Sequence, residues 1–106
     1  MSNVFVSYTV RDGEVDMVLL NALHNNLNEV CNPFLDLVNR QTRKVTQKTI
    51  ILEIFRSHLL LVIESKDVYK SPWVKFEIFL SRLLLIPIIK IKASTLKEYL
   101  NLKESY

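Results

Sequence analysis

The 106-residue chain holds one cysteine, Cys31, one glycine, Gly13, and three prolines. A single cysteine builds neither an intramolecular disulfide framework nor a cysteine-based zinc site. A dinucleotide-binding fingerprint needs three spaced glycines and a P-loop needs two, so Gly13 alone excludes both phosphate cradles. The two histidines, His24 and His58, stand too far apart for a local metal motif, and no metal is expected. Long apolar runs are also missing. The longest, Leu83 to Ile89, is interrupted by Pro87 and falls far short of the roughly 20 residues of a membrane span. Met1-Ser2-Asn3 does not open a basic-then-apolar leader. The expectation is one cytoplasmic domain over residues 1–106, with no membrane partner.

What is present fits that expectation. Hydrophobic residues make up 49% of the chain and charged residues 24%, which is globular rather than disordered usage. The net charge of +3 permits an anionic partner. It is not the dense basic stripe of a nucleic-acid binder, so no nucleic-acid partner is expected.

The periodicity alternates. Asn3 to Tyr8, NVFVSY, reads as a buried strand followed by a polar turn. From Glu14 to Val30 the apolar positions Val15, Val18, Leu19, Ala22, Leu23, Leu27 and Val30 recur at helical spacing, with Asp12 as the expected N-cap. Asn32-Pro33 breaks that helix, and Phe34 to Val38, FLDLV, reads as a second strand. Asn39 to Lys44 is a basic loop, and Val45 to Arg56 suits a helix despite its isoleucines. His58 to Ile63 is a continuous apolar run, as in a central parallel strand covered on both faces. Ser71-Pro72 opens a further helix, with Ser as N-cap and Pro at its first position. Trp73, Phe76, Glu77, Leu80 and Leu84 are expected on one face of it. Ile86 to Ile91 is a fourth strand, and Ala93 to Leu102 a last helix. The βαβαβαβα order predicts a parallel sheet with helices on both faces. Ligands of such sheets bind beyond the carboxyl ends of the strands, here Ser7 to Gly13, Val38 to Lys44 and Glu64 to Ser71.

Glu77 carries the most chemical information. A carboxylate on an apolar helix face is costly unless it is paired, protonated or used. Its bland alternative is a partly exposed Glu paired with a cation such as Lys70. Asp36 lies between Leu35 and Leu37 and either shapes the crevice or caps a loop. Ser7 and Tyr8 end the first strand, where hydroxyls reach a ligand or simply form a turn. Arg40, Arg43, Lys44 and Lys48 are candidates for phosphate contacts, or else a solvated basic loop. Cys31 reads as a partly buried small residue rather than a nucleophile.

Three blocks, in this order, resemble a TIR domain (Toll/interleukin-1 receptor domain). VFVSYTVRD, Val4 to Asp12, is similar to the family's opening F-[IV]-S-Y strand and polar loop. FLD, Phe34 to Asp36, resembles its second strand. Leu59 to Ile91 contains LLLVI, SPWVKFE and IPII, similar to the family's strand, its S-x-W-x-x-x-E element and its late [IV]-P-[IV] strand. The loop Asn39 to Lys44 lacks the glycine usual there. The resemblance implies a flavodoxin-like three-layer fold with a parallel sheet of four strands, or five. It also implies NAD+ as substrate, cleaved at the nicotinamide–ribose bond by an NAD+ glycohydrolase or ADP-ribosyl cyclase. Glu77 would be catalytic. Phe5, Ser7, Tyr8, Asp36 and Trp73 would bind substrate, with Arg40 and Arg43 at the phosphates and no further cofactor. Compact bacterial members of the Thoeris type suggest self-association and a nucleotide signal to a separate effector in anti-phage defence. The alternative within the family is a non-catalytic assembly module or a host-mimicking effector. A phosphoreceiver would share the strand order, but it needs clustered acids after the first strand, where Ser7-Tyr8 stands.

Overall fold

The computed structural model describes residues 2–101. Its strands are β1 (Asn3–Ser7), β2 (Asn32–Phe34), β3 (Leu59–Glu64) and β4 (Ile88–Lys92). Its helices are α1 (Met17–Leu27), α2 (Asp36–Asn39), α3 (Gln47–Phe55), α4 (Pro72–Leu83) and α5 (Ala93–Tyr99), with a 3-10 turn at Val68–Lys70. The strands form one parallel sheet in the order β2-β1-β3-β4. This is the α/β architecture that the alternation predicts, and it is consistent with a flavodoxin-like fold.

The handedness of parallel connections explains the layers. The chain steps from β1 to β2 in one direction, then from β2 to β3 and β3 to β4 in the other. A right-handed crossover therefore puts α1 on one face and α3 and α4 on the opposite face. Strand alternation supplies both faces. Val4, Val6 and Ile63 pack with Leu19, Leu20 and Leu23 of α1 and Leu96 of α5. Phe5, Leu60 and Val62 pack with Ile50 and Ile54 of α3 and Val74 and Ile78 of α4. Cys31, expected to be partly buried, is buried in the first of these cores.

Several local expectations need correction. FLDLV is not a strand: β2 ends at Phe34, and Asp36 begins α2. Pro33 lies inside β2 instead, which an edge strand tolerates because one side needs no N–H. Asp12 does not cap α1. Asp16 does, its Oδ1 accepting the Leu19 N–H at 2.9 Å, while the Asp12 carboxylate accepts from Glu14 and Asp67. Val18 and Val30, assigned to the inner face of that helix, are exposed. The buried face of α4 is Val74, Glu77, Ile78 and Ser81, with Trp73 at its margin, 40% exposed. The expected cap does hold there: Ser71 accepts from the Val74 N–H, and Pro72 opens the helix. The last helix ends at Tyr99, and Leu102, expected within it, lies outside the described residues.

Helix α4 ends in a Schellman turn. The Ile86 N–H reaches the Ser81 carbonyl at 2.8 Å, and the Leu85 N–H reaches that of Arg82 at 3.1 Å. Leu85, at φ 59°, occupies the position where glycine is favoured, and its side chain is 90% exposed. A left-handed leucine costs roughly 1–2 kcal/mol, partly offset by the entropy a glycine loses on folding. Leu85→Gly is therefore expected to stabilise the fold by about 0.5–1 kcal/mol. Urea unfolding would read this as a higher midpoint at unchanged slope, and a lower midpoint would show that the leucine side chain contributes packing.

Candidate functional site

The chain's first connection crosses one face and its later ones the other, so the strand order reverses between β1 and β3. A crevice opens there beyond the carboxyl ends of the strands. The two loops that rim it are tied together. The Asp67 N–H donates to Asp12 Oδ2 at 2.7 Å, and the neighbouring Lys66 N–H donates to Glu14 Oε2. Carboxylates of the loop after β1 thereby hold the backbone of the loop after β3.

Alternation then decides what faces the crevice. Ser7 follows Phe5 by two residues, so its hydroxyl points to the α3/α4 face. The inner face of α4 presents Glu77 there. Ser7 Oγ–H donates to Glu77 Oε1 at 2.7 Å, joining positions 70 residues apart. Ser7 is 1% exposed and Glu77 8%. Burial is the main influence on the Glu77 carboxyl and pushes its pKa up to about 7. The Ser7 hydrogen bond opposes that rise, and the Asp36 charge adds to it. Among the described residues, Glu77 has no cationic partner. Lys70, its expected neighbour in the bland alternative, pairs with Asp67 at 3.3 Å.

A cleft of about 300 Å3 brings together Phe5, Tyr8, Asp36, Trp73 and Glu77. With Ser7 bonded to Glu77, these are all the expected catalytic and substrate-binding positions. The Tyr8 hydroxyl accepts the Leu37 N–H at 2.9 Å, and burial pushes its pKa up, so it stays neutral. Trp73 packs on Phe76, with ring centres 5.4 Å apart and planes tilted by 49°. Past Trp73 the cleft meets an apolar trough of about 570 Å3 lined by Ile51, Pro72 and Phe76, with Gln47 and Arg11 at its polar side.

The basic candidates divide. Arg40 stays close, because its Nε lies 2.6 Å from Asp36 Oδ1 and its Nη1 donates to the Val45 carbonyl at 2.9 Å. Its charge is thus already engaged. Arg43 is not brought to the cleft. It bonds to Glu53 at 3.2 Å, lies over the Phe34 ring, and lines a separate polar cleft with Asn3 and Asn32 at the amino ends of β1 and β2. Arg11, not singled out in the sequence, lines both the Glu77 cleft and the trough. Its place in the loop after β1 was the available signal. Thr9 and Ile50 also line the cleft. Ile50 carried no signal, because it reads only as core.

Among the described residues, no three His, Cys, Asp or Glu side chains gather into a metal-binding arrangement, and no helix is long and apolar enough to cross a membrane. No protein-family model matches the chain, and comparison with the curated proteins returns no relative.

Proposed function

We propose that this chain is a TIR-type enzyme that cleaves the nicotinamide–ribose bond of NAD+. The observation that carries the reading is Glu77: a buried carboxylate, without a cation among the described residues, held by Ser7 at the wall of a cleft edged by Trp73. When the bond between ribose C1 and the pyridinium nitrogen breaks, both electrons leave with nicotinamide, which departs neutral. The ribose is left with oxocarbenium character, as in glycoside cleavage. An ionised Glu77 stabilises that cation, and the low polarity of its surroundings strengthens the attraction. Water adding at C1 and losing a proton gives ADP-ribose. A nucleophile from the same dinucleotide gives a cyclic product instead. The trough beside Trp73 and Phe76 suits an aromatic base by stacking, and Arg11 supplies a cation for the phosphates between.

The likeness of VFVSYTVRD, FLD and SPWVKFE to TIR motifs supports the same reading. It adds cytoplasmic self-association, and a nucleotide signal to a separate effector in anti-phage defence. The assembly-module alternative draws on the exposed Phe79, Leu83 and Ile89, which suit a protein contact.

The test is incubation of concentrated protein with NAD+, following nicotinamide and the second product by chromatography, beside Glu77→Ala. Nicotinamide release by the parent and not by the variant is expected. Release that persists in Glu77→Ala would overturn the residue's role, and no release by the parent would favour the assembly module.

A further inference from the structure

We propose that the open edge of β4, with the basic groove beside it, receives an extended acidic segment of a partner protein as a fifth strand. Three independent features meet there. The first is the backbone. The sheet order ends at β4, which pairs with β3 on one side and, among the described residues, with no strand on the other. The Leu60 N–H donates to the Pro87 carbonyl at 2.9 Å. In a parallel ladder, Pro87, Ile89 and Ile91 then face β3, Ile88 and Lys90 turn their N–H and C=O groups to the open edge, and Lys92 turns only its N–H there, because its carbonyl caps the start of α5.

The second feature is charge. A groove of about 340 Å3 between α4 and β4 is lined by Tyr69, Lys75, Ile78, Phe79, Arg82 and Lys90. Among the described residues, none of its three cations has a carboxylate within ion-pair distance. Glu64, in register with Lys92, is occupied by the Tyr69 hydroxyl at 2.5 Å. The third feature is apolar surface. Phe79 in the groove and Ile89 on the strand are both exposed.

Lysines on edge strands often serve to repel pairing. Lys90 does not stand across the edge: its ammonium lies 5.3 Å from the centre of the Tyr69 ring, back in the groove. At Lys90 the edge is thus left accessible, and its charge is gathered to one side. A chain of net charge +3 is a poor partner for this groove, whereas a strand with acidic residues on alternate positions complements it. Main-chain bonds to the edge would give affinity, and the groove would give preference for acidic side chains.

The probe is a fluorescein-labelled eight-residue peptide of alternating Glu and Val, with a Lys/Val counterpart, titrated against the full chain. Only the acidic peptide is expected to bind, more weakly as salt rises. Lys75→Glu/Arg82→Glu/Lys90→Glu should weaken it at least tenfold, and Lys90→Gln alone, a milder change to the fold, severalfold. Hydrogen exchange should slow at the Ile88, Lys90 and Lys92 amides on binding. No binding, binding indifferent to charge reversal, or unchanged exchange at those amides would overturn the proposal. So would protection of the same amides in the free chain: in a dimer by light scattering it would assign the edge to a second copy, and in a monomer to the chain's own residues. None of these readouts depends on NAD+ cleavage.

Discussion

Glu77→Gln is expected to be more stable than the parent at pH 8 and to have lost nicotinamide release. The two effects share one cause. Burial raises the Glu77 pKa to about 7 from an ordinary 4.5. Between those values the folded chain holds a proton that the unfolded chain has released. The stability this contributes is fully present below about pH 4.5 and is lost as pH rises through 7. At about 1.4 kcal/mol per pH unit, the loss by pH 8 is roughly 3 kcal/mol. Glutamine has nearly the same shape, stays uncharged, and can still accept the Ser7 hydroxyl. It therefore keeps at pH 8 what the parent retains only in acid. For a domain of this size, the gain corresponds to roughly 13 °C in Tm. The same carboxylate, once ionised, is the group proposed to stabilise the ribosyl cation, and removing such a charge costs on the order of 10²–10³ in rate. Thermal unfolding at pH 4 and pH 8 should show the melting points coinciding in acid and separating in base. Equal melting points at pH 8 would mean that the carboxylate is well solvated. A more stable variant that still releases nicotinamide would retain the burial argument and remove Glu77 from the chemistry.

That Glu77 falls among apolar positions at helical spacing was readable from the sequence, but whether it is buried or partly exposed beside a cation was not. Its partner was not readable. Ser7 reaches it only because β1 alternation and the inner face of α4 converge at a crossover reversal, which no local pattern encodes. β3 and the start of α4 were legible for physical reasons. An uninterrupted HLLLVI run suits a strand buried on both faces, and Ser71-Pro72 supplies a cap with its fixed φ. FLDLV was not legible as a helix. Four apolar residues around one aspartate fit a strand as well as one helical turn, and the choice depends on where edge strand β2 stops pairing. The inner face of α4 was misassigned for a related reason. Apolar residues cover more than half its circumference, so periodicity could not tell Val74 and Ile78 from Trp73 and Leu80. Asp12 and Asp16 are both plausible caps four residues apart, and tertiary contact with Asp67 drew Asp12 away. Arg40 and Arg43 are three residues apart but serve opposite ends of the sheet, a separation that follows from α2 turning the chain.

Ser7→Ala and Asp36→Asn should move the pH dependence of nicotinamide release in opposite directions. If Glu77 must be ionised, the parent's kcat/KM rises about tenfold per pH unit in acid and levels off above about pH 7, the pKa of the free enzyme. The Ser7 hydroxyl donates to Oε1 and favours the charged form. Hydrogen bonds to charged groups contribute about 1.5–3 kcal/mol, so losing this one should move the rising limb alkaline by about one pH unit or more. The variant would then be severalfold slower at pH 7 and approach the parent near pH 9. Asp36 acts oppositely, since its negative charge disfavours a second one at Glu77. Removing it should move the limb toward acid, by less than the serine effect, because the Arg40 guanidinium 2.6 Å away already offsets much of that charge. Arg40→Ala exposes the Asp36 charge and should return the limb to the alkaline side of the parent. The three signs follow from the charges facing Glu77 and not from how much each change disturbs packing. A purely structural role for Ser7 or Asp36 would lower the melting point and the plateau rate and leave the limb in place. A common direction for all three variants would show that another group titrates.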